Sequence, residues 1–334
     1  MLASPSVIRV HHLTHRFGTN EVLHDIGFEV GQAEIFGFIG PNGAGKTTTI
    51  RAMATLLEPS SGRIEIAGID VGLEPERVRS KIGYMADHAG VYAKLTVDEF
   101  LAFFAAAYGL DIGTAVDRAL ELTDLRAARG ELSGTLSKGM RQRLQLAKTL
   151  LHDPEVLVLD EPASGLDPRA RIEMRNLFMR LRAAGKTIFL SSHILTELSD
   201  VCTSVGILEK GQLLAYGPIA DIAQRAGDKQ PVPAAEGTAH AMRGEAPRKP
   251  TERMMKLRTL GSAEPARQIL EGKAEVSTIR VSGDQLTLRV AGDDRAVAEM
   301  VRCLVQGGIG VIGIEPERDE LETVFLELTK KGES

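Results

Sequence analysis

EIFGFIGPNGAGKTTT, residues 34–49, is the stretch on which the fold turns. A short apolar run breaks into glycines at 40, 43 and 45 and ends on Lys46 followed by threonines. Gly40 to Thr47 fits G-x-x-x-x-G-K-[ST] at every fixed position. In that pattern the glycines let backbone N–H groups turn inward around phosphates, the lysine reaches the β- and γ-phosphates, and the Thr47 hydroxyl ligates Mg2+. The candidate nucleotide cradle is therefore Gly40, Pro41, Asn42, Gly43, Ala44, Gly45, Lys46, Thr47 and Thr48. The context matches too: an apolar strand precedes the loop, and a helical pattern follows from about 45 to 57.

Working outward, EVLVLDEP (155–162) is a continuous apolar run, as in a central parallel strand, that ends in two adjacent carboxylates. At a strand's C-terminal edge Asp160 can enter the Mg2+ shell, while Glu161 faces the γ-phosphate and polarises a water. SGLDP (164–168) places Asp167 as a helix cap with Pro168 at the first helical position. His193 follows the strand TIFLSS (187–192). It is either an ordinary surface histidine or, at a strand end of this kind, a contact to the γ-phosphate. In LSKGMRQRLQLAKTL (136–150), Ser137 sits at a helix N-cap, where anions are favoured. Lys138, Arg141, Arg143 and Lys148 along that helix leave a nucleic-acid face or a solvated rim open at this point.

The remainder reads as an α/β chain. VIRVHHLTHRF (7–17) and EVLHDIGFEV (21–30) look like antiparallel strands, GRIEIAG (62–68) like another, and 96–125 is helical with Thr96 and Glu99 at capping-box spacing. The expected first domain runs over 5–226 and contains a helical insert at about 90–153. A helix over 168–184 and two short strands near 203–217 complete it. Residues 227–252 are rich in Pro, Ala, Gly and charge without periodicity, so a flexible linker is expected. After it, 253–330 shows a βαββαβ order, ferredoxin-like, with an added helix at 319–330.

Composition bounds the function. The 334 residues carry a net charge of −5, which argues against whole-chain attraction to nucleic acid. Only two cysteines occur, Cys202 and Cys303, without metal-ligand spacing, so both are expected as buried apolar residues in a reducing compartment. No secretory h-region is present, and the most apolar run, 100–110, is about half of a span's roughly 20 residues. The chain reads as cytoplasmic.

Taken in order, GPNGAGKT, LSKGM, LVLDEP, SGLD and SSH resemble the Walker A, signature, Walker B, D-loop and switch-histidine elements of the ATP-binding cassette family, over about 7–220. The resemblance implies ATP and Mg2+, with Phe17 stacking on adenine. Domains of this family pair head to tail, so Ser137 and the Gly139 N–H of one copy would meet the γ-phosphate held by the other. Asp167 belongs to the same shared site. A two-fold homodimer follows, and no nucleic-acid partner is expected.

Two departures stand out. Lys138 and Met140 replace a glycine and the glutamine of the usual LSGGQ. Asp87 stands where the family has a glutamine contacting Mg2+ and the attacking water. A carboxylate there can hold Mg2+ or its water but would repel phosphate, so Asp87 joins Thr47 and Asp160 as a metal candidate. The ending ELETVFLELT (320–329) resembles cassette ATPases that serve bacterial multidrug, antibiotic or lipid exporters. That resemblance implies a separately encoded membrane permease that holds this chain at the inner face of the membrane. The loop near 87–95 would receive it, so His88, Val91 and Tyr92 are either its contacts or loop residues packed on the helical insert. The alternative is a soluble cassette ATPase in translation, repair or cofactor assembly. A sensor role for the C-terminal unit is weaker still, since 253–315 has no ligand constellation.

Overall fold

Two twelve-residue strands open the first unit. β1 (Ser6–Phe17) and β2 (Asn20–Gly31) pair antiparallel around Gly18, with Phe17 opposite Asn20. β3 (Ile35–Ile39) is buried at every residue and leads through the glycine loop into α1 (Lys46–Met53). β4 (Ser61–Ile66), β5 (Ile69–Asp70), α2 (Pro75–Lys81) and β6 (Ile82–Met85) follow. Helices α3 (Val97–Ala107), α4 (Ile112–Leu122) and α5 (Lys138–Leu150) come next. Then come β7 (Val156–Leu159), α6 (Pro168–Ala183), β8 (Thr187–Ser192), β9 (Ser204–Glu209) and β10 (Gln212–Pro218).

This computed structural model describes residues 6–87, 90–194, 201–219, 221–222, 252–273, 275–292 and 294–316. They fall into two compact units, 6–222 and 252–316.

The first unit contains a four-stranded antiparallel sheet, β2-β1-β4-β5, and a six-stranded sheet, β10-β9-β3-β8-β7-β6. The second is parallel from β9 to β6, with β10 antiparallel at its edge. Phe28 of the first sheet meets Phe36, Phe38 and Phe189 of the second at centroid distances of 5.4, 5.5 and 5.7 Å. Burying each ring contributes about 1.5–3 kcal/mol, and within a larger apolar core this cluster packs the antiparallel sheet against the six-stranded one. The helical insert has its own core of Val97, Phe100, Leu101, Leu120 and Leu144. Thr96 closes its first turn as the spacing predicts: the Thr96 N–H donates to Glu99 Oε2 at 2.8 Å and the Glu99 N–H to Thr96 Oγ1 at 3.1 Å.

Several expectations change. The helix after the cradle stops at Met53 rather than 57, and 96–125 divides into α3 and α4 at Tyr108–Asp111. The sequence reading passed over α2 and β6, because a four-residue strand has too little alternation to register. Cys202 is buried, and burial pushes its thiol up. Cys303 is only half-buried and its Sγ accepts from Lys273 Nζ at 3.4 Å. It lies on an amphipathic helix that turns one side to solvent.

In the second unit β11 (Glu252–Thr259), α7 (Glu264–Leu270), β12 (Val276–Ser282), β13 (Gln285–Ala291), α8 (Asp294–Gln306) and β14 (Val311–Pro316) realise the βαββαβ order as an antiparallel sheet, β12-β13-β11-β14. Its core includes Met255, Leu257, Leu286, Leu288 and Leu304. The expected linker, except Glu252, and the added helix at 319–330 lie outside the described residues.

Candidate functional site

β8 lies between β3 and β7, and β6 borders β7. Four neighbouring strands therefore deliver their C-terminal ends side by side: the cradle after β3, His193 after β8, Asp160 and Glu161 after β7, and Asp87 after β6. This is where an open parallel sheet builds its ligand sites.

The cradle is shaped by its glycines. Gly45 caps α1 with φ 109°, a region a side chain disfavours, and a Cβ on Gly40 would collide with the Leu208 carbonyl. Lys46 is 6% exposed and folds back on its own loop, donating to Gly40 O at 2.7 Å and Pro41 O at 3.1 Å. Burial pushes its ammonium below the usual lysine range, while Glu161 and Asp160 oppose that shift. Its Nζ is 3.7 Å from Glu161 Oε1.

Glu161 also accepts from His193 Nδ1 at 2.9 Å, since against a carboxylate the imidazole is the donor. His193, Glu161 and Lys46 thus form one contiguous chain of charged and polar side chains. Asp160, 2% exposed, accepts from Ser191 Oγ at 2.7 Å.

A cleft of about 420 Å³ is lined by residues that include Asn42, Gly43, Gly45, Lys46, Thr47, Thr48, Asp87, Glu161, Ser164 and His193. Val22 and Ser164 also line it and were not singled out from sequence; only the fold brings the hairpin to the cradle. Among the described residues no cluster of three His, Cys, Asp or Glu could hold a metal by itself. Mg2+ fits nevertheless, because it needs only one or two carboxylates besides phosphate oxygens, and the Asp160 carboxylate and Thr47 hydroxyl are hard oxygen donors.

Phe17, Ser137, Gly139 and Asp167 do not line this cleft. Phe17 is 52% exposed beside the hairpin turn, its ring edge-on to His15 at 4.6 Å. Ser137 caps α5, accepting the Met140 N–H at 3.2 Å, and Asp167 caps α6, accepting the Ala170 N–H at 2.9 Å. A Cβ on Gly165 of the SGLD turn would collide with the Lys138 ammonium, so the end of the Lys138 side chain lies against that turn. Arg143 pairs with Glu173 at 3.2 Å and Lys148 lies over the Phe104 ring at 5.2 Å. These two cations have partners within the chain. Gln145 Nε2 donates to Gly90 O at 2.8 Å and ties α5 to the loop that carries Asp87.

Asp87 adds a negative charge to the wall of this cleft. Asp87→Asn is expected to keep ATP binding within about threefold, whereas Asp87→Ala should lower turnover by roughly 10-fold, the scale at which an outer partner of a metal site acts. Steady-state phosphate release measures both. Unchanged turnover in Asp87→Ala would remove the residue from the chemistry.

Residues 23–164 match the sequence profile of the ABC transporter family. Over 98% of both chains the protein is 34% identical to the bacitracin transport ATP-binding protein of Bacillus licheniformis. It is 32% identical to a daunorubicin resistance ATP-binding protein of Streptomyces coeruleorubidus, over 97% of this chain and 96% of that one. A solved ATP-binding subunit of an ABC transporter superposes with a TM-score of 0.60 at 33% identity, covering 66% of this chain and 94% of the other. With the cradle, the carboxylate pair and the histidine assembled at one sheet edge, the chain belongs to the ABC transporter family, as one of its ATP-binding, ATP-hydrolysing subunits.

Proposed function

We propose that two copies of this chain close head to tail on two ATP molecules and that this closure drives a separately encoded membrane permease, which exports a drug, antibiotic or lipid-like compound. The single observation that carries the catalytic part is the contiguous Lys46–Glu161–His193 chain at the mouth of the cradle. The relatives matched over nearly their whole length are named for bacitracin transport and daunorubicin resistance, which supports the export of such compounds. Among the described residues no helix is long and apolar enough to cross a membrane. In this reading the permease supplies the span, and this chain works at the membrane's inner face.

In this scheme Lys46 exchanges the Gly40 and Pro41 carbonyls for the β- and γ-phosphates. Thr47 and Asp160 would hold Mg2+, which when bound neutralises phosphate charge. Glu161 takes the proton of the attacking water, and His193 holds Glu161 and reaches toward the γ-phosphate. Phe17, exposed beside the cradle's hairpin, stacks on adenine. The N-terminus of α5, with the Ser137 hydroxyl and the Gly139 N–H, faces the partner's γ-phosphate. Asp167 fixes the adjoining turn. ATP works only through the difference in its affinity for the open and closed pairs.

The permease is received by an exposed aromatic group on the helical insert. Tyr92 is 52% and Phe103 54% exposed, with ring centroids 5.9 Å apart. Val91 packs partly against the insert core, and His88 lies outside the described residues.

The test is purification of the chain from its native cells in mild detergent, with its companions identified by mass spectrometry. A polytopic membrane protein in near-equal amount is the expected result. Recovery with ribosomes or assembly factors instead would overturn the transporter reading. Tyr92→Ser with Phe103→Ser should cut permease recovery by about 10-fold or more, as loss of aromatic anchors does, while the purified variant hydrolyses ATP at the unmodified rate.

A further inference from the structure

Ser191 is fully buried on β8, the strand between the cradle strand and the carboxylate strand. In the parallel register of β7 and β8, Val158 pairs with Phe189 and Leu159 with Leu190, so Ser191 falls opposite Asp160. Its hydroxyl makes two bonds across that step. It donates to Asp160 Oδ1 at 2.7 Å and accepts the Glu161 N–H at 2.9 Å. Glu161 has a left-handed backbone at φ 49°, a conformation that a non-glycine residue holds only when its surroundings enforce it. Two further bonds fix the same turn, Asp160 N–H to Met85 O at 2.9 Å and Ser164 N–H to Glu161 O at 3.1 Å. Neither of them touches a carboxylate.

We propose that Ser191 is a positioning residue for hydrolysis. One hydroxyl locks the metal-binding carboxylate and the backbone of the base into a single rigid unit. With Oδ1 engaged by Ser191, Asp160 would hold Mg2+ through its other oxygen. With its N–H held, Glu161 keeps the left-handed turn that aims its carboxylate at His193 and Lys46. The inference rests on the assignment of Asp160 to Mg2+ and Glu161 to the water. Without the hydroxyl, a buried carboxylate oxygen and a buried N–H lose their shared partner, so both functions should suffer together.

The test uses the purified full chain and a fluorescent ATP analogue. Ser191→Ala is expected to bind the analogue without Mg2+ as the unmodified chain does. It should need about 10-fold more Mg2+ to reach the metal-dependent part of binding, and its kcat should fall roughly 10- to 100-fold, the range seen when the partner of a metal ligand is removed. Ser191→Thr, which keeps the hydroxyl, is expected to restore both properties. Asp160→Asn and Glu161→Gln are measured alongside. If both behave as the unmodified chain, the site assignment itself fails. If both are impaired while Ser191→Ala is normal in Mg2+ dependence and turnover, the role of Ser191 is overturned and the assignment stands. An equal loss of Mg2+-free binding in Ser191→Ala would mean general collapse of the cleft and would also overturn it.

Discussion

Glu161→Gln is expected to bind ATP as tightly as the unmodified chain and to hydrolyse it at roughly 10²- to 10⁴-fold lower rate, the contribution of a positioned general base. The substitution keeps the shape and can keep a hydrogen bond with His193, now 2.9 Å from Oε2, but removes the proton acceptor. It also removes the carboxylate 3.7 Å from Lys46 Nζ. That carboxylate helps keep the buried lysine charged; with ATP in place the phosphates supply the counter-charge, so its loss is not expected to weaken binding. Phosphate release and nucleotide titration separate the two effects. Because the γ-phosphate is not cleaved, the variant should accumulate as an ATP-held pair of chains on size-exclusion chromatography. Turnover within about threefold of the unmodified chain would show that another group takes the proton. A monomer at saturating ATP would count against the head-to-tail pair.

Lys46→Ala should have the second-largest effect, and on binding instead of chemistry. Lys46 is the buried cation of the cleft, 6% exposed, with Glu161 and Asp160 as its charged neighbours. Removing one partner of a buried charge pair costs about 3–5 kcal/mol, or roughly 10²- to 10³-fold or more in affinity when the ligand is an anion that must meet those carboxylates. Lys46→Arg is not expected to rescue. A planar guanidinium does not fit where an ammonium donates to Gly40 O at 2.7 Å and Pro41 O at 3.1 Å. Binding of a fluorescent nucleotide checks both variants. An Ala variant within about 10-fold of the unmodified affinity would place the phosphate elsewhere.

Much of this site can be read from residues close together in the chain. A glycine loop ending in Lys46 and Thr47, and an apolar strand running into Asp160 and Glu161, are local patterns whose chemistry follows from residue type and spacing. Helix caps were legible for the same reason. Ser137, Thr96 and Asp167 each accept the N–H three residues on, so each is specified within a single turn.

What escaped the sequence is less local. β6 is four residues long, too short for periodicity, although the run Ile82-Gly83-Tyr84-Met85 just ahead of Asp87 was its one signal. Ser191 looks like any strand residue until β8 is placed beside β7. Cys303 looked like a core thiol, yet it sits at the half-exposed edge of α8, where Lys273 reaches it.

By itself, then, the sequence determined which groups we propose for phosphate, metal and water, because those motifs are contiguous and their backbone conformations are set by near neighbours. The tertiary structure alone decided that β8 enters between β3 and β7 and that β6 borders β7. That order brings residues 46, 87, 160, 161, 191 and 193 to one edge. The physical reason is that strand order in a parallel sheet is chosen by how the buried faces of all its strands and covering helices pack together, which no single stretch of chain encodes.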